Sequence, residues 1–125
     1  MQSTHITILI GLNLALAACA PATRTTIFQS YSPKPVGSAI KIYGAKSPIC
    51  DFEELGIVSS RQRNKFISME DVVESLRVEA RSLGGDAILG LTETNPINNV
   101  TEYGVDRDPV LAGTVIRFSN PDCAE

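Results

Sequence analysis

Ser68-Met69-Glu70-Asp71-Val72-Val73-Glu74-Ser75-Leu76-Arg77-Val78-Glu79-Ala80-Arg81-Ser82-Leu83-Gly84-Gly85 reads as one amphipathic helix with both ends marked. Met69, Val72, Val73, Leu76, Ala80 and Leu83 recur at helical spacing and make a single apolar stripe. Ser68 suits the N-cap because its hydroxyl can accept an otherwise free backbone N–H, and Asp71 stands at the third helical position of an approximate capping box. Glu70, Asp71 and Glu74 put negative charge near the positive helix end. Gly84-Gly85 provides a residue free to take positive φ, which stops the helix. Arg77, Glu79 and Arg81 on the other face are expected to be solvated.

Strand patterns lie on both sides of this helix. Ile40 to Tyr43 alternates and is stopped by Gly44. Phe52 to Ser60 is a second strand, followed by a charged connection with Arg61, Arg63 and Lys65. Asp86 to Thr94 is a third, with Ala87, Leu89 and Leu91 on one face and a mid-strand Gly90 that implies a bulge or a close backbone approach. Asn95 to Pro109 reads as a polar loop, and Leu111 to Phe118 as the last strand. The order β-β-α-β-β predicts an α+β fold: about four mostly antiparallel strands with one helix across a face.

The N-terminus has a different character. Residues 6–16 are almost wholly apolar, about the length of a signal-peptide core and short of the roughly 20 residues that cross a bilayer. Leu16-Ala17-Ala18-Cys19 resembles the bacterial lipoprotein signal, in which cleavage falls just before the cysteine. That resemblance implies a thioether-linked diacylglycerol and an amide-linked acyl chain such as palmitate on Cys19, enough for stable anchoring. Ala20, in place of Asp, resembles export to the outer membrane. The expected organisation is a signal peptide over 1–18, a lipidated and flexible tether over 19–38 holding Pro21, Pro33, Pro35 and Gly37, and one α+β domain over 39–125.

Removing eighteen of the 125 residues leaves 107, enough for one small core. All 11 basic and 14 acidic residues lie after Cys19, so the net charge of −3 argues against nucleic acid and implies no electrostatic pull toward anionic lipid. The single histidine, His5, is inside the signal, which removes Ser-His-Asp and Cys-His nucleophiles and His-containing zinc sites from the mature chain. With Cys19 acylated, Cys50 and Cys123 remain as a pair. An oxidising compartment favours a disulfide, which would bring the start of the second strand to the end of the fourth; two free thiols or a labile redox pair are the alternative.

Tyr43, Pro48 and Phe52-Glu53-Glu54-Leu55-Gly56-Ile57-Val58-Ser59, then Leu76, Ala80 and Leu83-Gly84-Gly85-Asp86-Ala87-Ile88-Leu89-Gly90, resemble a group of small bacterial envelope domains. The group includes the Rcs stress-sensor lipoproteins and the YbjQ-type domains named for heavy-metal binding. The resemblance implies the α+β fold and an envelope address. The chain departs from it in keeping only the Cys50 and Cys123 pair and in lacking any His or Cys cluster. Glu102, Asp106 and Asp108 lack the ordered spacing of a calcium loop and read as a solvated acidic loop. Glu53 and Glu54, consecutive on a strand, point to opposite faces and cannot share a substrate.

These observations predict a membrane-anchored lipoprotein of the outer membrane, non-enzymatic and without cofactor or metal. Its domain would face the periplasm as an interaction or envelope-sensing module for an outer-membrane or periplasmic protein. A small-ligand or metal-binding domain on the same scaffold is the alternative.

Overall fold

A computed structural model describes residues 21–64 and 66–124. The chain runs β1 (Ala22–Ile27), β2 (Lys41–Tyr43), β3 (Phe52–Arg61), α1 (Met69–Ser82), β4 (Ala87–Thr94), β5 (Ile97–Thr101), β6 (Gly104–Arg107) and β7 (Val110–Phe118), then a 3-10 turn over Pro121–Ala124. Five strands form one sheet in the order β1-β3-β7-β4-β2, and β5 and β6 pair separately as a hairpin. All neighbours in the larger sheet are antiparallel except β2 and β4. The α+β architecture is therefore as expected, with a fifth sheet strand and a hairpin added.

The helix begins and ends as its sequence dictates. Ser68 Oγ accepts the Asp71 N–H at 3.1 Å, and Asp71 Oδ2 accepts the Ser68 N–H at 3.0 Å. At the other end Gly84 N donates to Arg81 O at 3.0 Å and Gly85 N to Ala80 O at 2.9 Å, with Gly84 at φ +77°. That pair of bonds is a Schellman motif, which satisfies carbonyls the ended helix leaves free. Val72, Leu76, Ala80 and Leu83 bury the predicted stripe against Leu55, Val58, Ile88, Leu111 and Val115 of the sheet. On the opposite sheet face a smaller cluster gathers Ala87, Ile116 and Phe118, with Tyr43, Phe52, Leu89 and the Cys50–Cys123 bridge against it. Gly90 sits at a register shift between Leu89 and Thr92 with φ +65°, a bulge in β4.

Two expectations are corrected. The tether expected over 19–38 is not free spacer in its described part: Ala22–Ile27 is an edge strand paired with β3 from Ala22↔Arg61 to Ile27↔Gly56. Its ATRTTI sequence has no apolar alternation, but its Thr and Ile favour extended backbone and hydroxyls replace apolar contacts. Thr25 Oγ1 donates to Glu79 Oε2 at 2.8 Å, and Thr23 Oγ1 lies 3.2 Å from the buried Ser60 Oγ. The chain then crosses the helix C-terminus, where Tyr31 N donates to Leu83 O at 3.0 Å and Lys34 N to Arg81 O at 2.9 Å. Glu79 and Arg81 are accordingly not merely solvated, since Arg81 Nε also donates to Ser38 O at 2.8 Å. The second correction is Asn95 to Pro109, which holds the β5–β6 hairpin instead of an unstructured loop. Val100 faces Val105 across it.

Candidate functional site

The two ends of the sheet carry different side chains. At one end β3 begins, α1 finishes and the 3-10 turn follows β7. A cleft of about 630 Å³ opens there, lined by Tyr31, Lys34, Glu53, Asp86 and Arg117 among others. Glu53 and Arg117 are register partners on β3 and β7, so both project to one side. Asp86, only 6% exposed, leaves the Schellman turn directly into this cleft. Its Oδ2 accepts the Phe118 N–H at 2.8 Å and its Oδ1 pairs with Lys34 Nζ. Tyr31 donates from its hydroxyl to Glu53 Oε2 at 2.5 Å, and the Arg117 guanidinium lies 3.9 Å from its ring centroid.

The electrostatics follow from these contacts. The hydrogen bond to Glu53 raises the Tyr31 phenol above its ordinary value, with burial and the Glu53 charge adding and Arg117 opposing. Burial, then the charge of Arg117, lowers the hold of Lys34 Nζ on its proton, while the Asp86 carboxylate beside it favours the charged form. Every charged group in the cleft thus already has a partner within the protein. The arrangement fastens residues 28–38 over the helix end more than it offers open valences to a ligand.

At the opposite end, Ala22, Arg61, Val110 and Thr94 fall in one row across four strands. The chain emerges there from residue 21, and the hairpin leaves from the same end. Ile97, Val100, Tyr103 and Val105 of the hairpin region are 54%, 68%, 92% and 50% exposed. Val100 and Val105 are register partners, so these two exposed apolar side chains share one face of the hairpin. Beside it a hollow of about 590 Å³ is lined by Arg24, Arg61 and Arg63 with Thr23, Ser59 and Ser60.

No family model, curated protein or solved structure matches this chain.

Among the residues singled out in the sequence, Leu16, Ala17, Ala18 and Cys19 lie outside the described residues. Cys50 and Cys123 meet as a disulfide with Cα atoms 6.4 Å apart, beside the Phe52↔Phe118 pair where β3 starts and β7 ends. Glu53, which the strand pattern separates from Glu54, belongs to the cleft. Glu102 and Asp108 sit in and after the hairpin, and among the described residues no group of three or more His, Cys, Asp or Glu is placed to share a metal ion. No helix among the described residues is long and apolar enough to cross a membrane. Asp86 was missed because a lone Asp after Gly-Gly carries no signal of the partners it meets from residue 34 and residue 118.

Proposed function

We propose that this chain is a bacterial lipoprotein, acylated on Cys19, whose domain acts without catalysis as an interaction or envelope-sensing module at the periplasmic face of the outer membrane. The observation that carries the reading is the self-paired hairpin, with Ile97, Val100, Tyr103 and Val105 exposed. It leaves the same end of the sheet as the chain that leads back to Cys19. Such a position suits contact with the periplasmic rim of an outer-membrane protein or with another envelope component. The absence of histidine after His5 removes the commonest nucleophile activators from the mature chain.

A photo-crosslinking residue at Tyr103, in intact cells, tests the idea against the same residue at Val78 on the exposed side of α1. One envelope protein captured from position 103, absent from position 78 and reduced by Val100→Ser, is the expected result. Equal or background capture from both positions overturns it.

A second reading, binding of a small polar ligand, is favoured by the size of the Tyr31–Asp86 cleft, which is within the usual range for ligand pockets. Its fully paired charges weigh against it. Thermal shifts across a panel of small anions, amino acids and divalent cations check it, because binding to the native state raises stability. A shift that Arg117→Ala abolishes favours the ligand reading, and no shift across the panel removes it.

A further inference from the structure

The end of the sheet that holds Ala22 and Arg61 carries three arginines with no ion pair among the described residues. Arg24 pairs in register with Ser59, and Ala22 with Arg61, so Arg24 and Arg61 are diagonal neighbours on the sheet face away from α1. Arg63 lines the same hollow two residues further on. Among the described residues none of these three side chains has an ion pair. The other four arginines are engaged: Arg77 and Arg81 share Glu74, Arg107 donates to Asn95 O, and Arg117 lies over Tyr31. Neighbouring guanidiniums repel, and the natural relief is an anion between them. Their planar forks match phosphate oxygens in pairs.

The course of the chain says which phosphate. Ala22 stands three residues after Cys19, and three residues of extended chain reach about 10 Å at most. With no free spacer after residue 22, a lipid on Cys19 holds this end within about one Debye length of the headgroups at ordinary salt. We infer that Arg24, Arg61 and Arg63 form a contact surface for the phosphates of anionic phospholipids in the leaflet that carries the anchor. This rests on the reading of Cys19 as acylated. The net charge of −3 does not oppose it, because attraction at this range follows the local charge and not the sum. The neighbouring hairpin sequence, with Glu102, Asp106 and Asp108 against Arg107, is acidic and is left to the protein partner.

The test uses the full chain extracted from membranes and inserted into vesicles of phosphatidylcholine, with or without phosphatidylglycerol. Modification of each arginine by phenylglyoxal is followed by mass spectrometry. Arg24, Arg61 and Arg63 are expected to react about fivefold more slowly in the anionic vesicles, the effect of one headgroup contact per arginine. Arg77 and Arg107 should be unchanged, and high salt should abolish the difference. The triple variant R24Q/R61Q/R63Q should lose preference for anionic vesicles while keeping its melting temperature.

Equal reaction in both vesicle types overturns the inference. Equal protection by inorganic phosphate in neutral vesicles also overturns it, by showing a site for soluble phosphate. Acyl mass on Cys19, read from the same sample, reports on the anchor by itself, so loss of the anchor and loss of the arginine surface are separate results.

Discussion

Asp86 shows how one residue can join three segments distant in sequence. It follows the helix stop, accepts the Phe118 N–H at the end of β7 and pairs with Lys34 in the N-terminal crossing segment. Asp86→Ala leaves a buried backbone donor and a half-buried ammonium without their acceptor, and should cost about 2–3 kcal/mol in urea unfolding. A loss within experimental error would show that the crossing segment is not fastened there. Gly84 offers a sharper contrast. A Cβ on it would come within 2.8 Å of Ser32 O and 2.9 Å of Tyr31 Cβ, at φ +77°. Gly37 has φ +86° with nothing within 4 Å. Gly37→Ala should therefore cost only the left-handed penalty of about 1 kcal/mol, and Gly84→Ala clearly more. Equal costs in thermal or urea unfolding would deny the close approach.

At the scale of elements, α1 depends on carboxylates at its start and middle. Hydrogen bonds from the Ser68 hydroxyl and then its backbone N–H hold the Asp71 carboxyl below its ordinary value. The hydrogen bond from Arg81, with Arg77 adding, does the same for Glu74. A carboxyl whose folded value is depressed stabilises the protein above its unfolded value, and that stability is lost as pH falls through the folded one. Urea midpoints should thus decline on acidification through and below the ordinary carboxylate range. Asp71→Asn and Glu74→Gln should each lower the neutral-pH midpoint and flatten the decline. An unchanged acid profile in both variants would show that these contacts do not govern it. The edge strand β1 depends instead on its partners: Thr25 on Glu79 and Thr23 on Ser60. Its order comes from docking.

At the scale of the molecule, the Cys50–Cys123 bond closes a separation of 73 residues around β3, α1, β4, the hairpin and β7. Cross-linking so long a loop restricts the unfolded chain, and the chain-entropy model puts the gain at roughly 4 kcal/mol. Cys123→Ser, or reduction before unfolding, should lower stability by about that amount, measured as the fall in urea unfolding free energy. A change well under 1 kcal/mol would mean that the paired ends of β3 and β7 stay together without it. The bridge also fastens the 3-10 turn beside the Tyr31–Asp86 cleft, so reduction should raise hydrogen exchange around Ser119 before it reaches α1.

The helix, its two caps, three of the sheet strands to within a residue, the short β2, an irregularity at Gly90 (a bulge or a close backbone approach) and the buried face of α1 are all legible along the chain. These follow from local signals: a repeat of side-chain polarity, a hydroxyl before a helix, a glycine after it. Tertiary structure alone decided the rest. β1 has no apolar alternation to announce it, and the prolines around it point away from regular structure, yet the open edge of β3 recruits it. β5 and β6 hide in a polar stretch because neither of their faces joins the core, so burial leaves no period in the sequence. Glu53 and Arg117, 64 positions apart, become neighbours only through register. Arg24, Arg61 and Arg63 become one surface only because β1 pairs with β3, which is why a net charge counted along the chain could not foretell where the positive charge gathers.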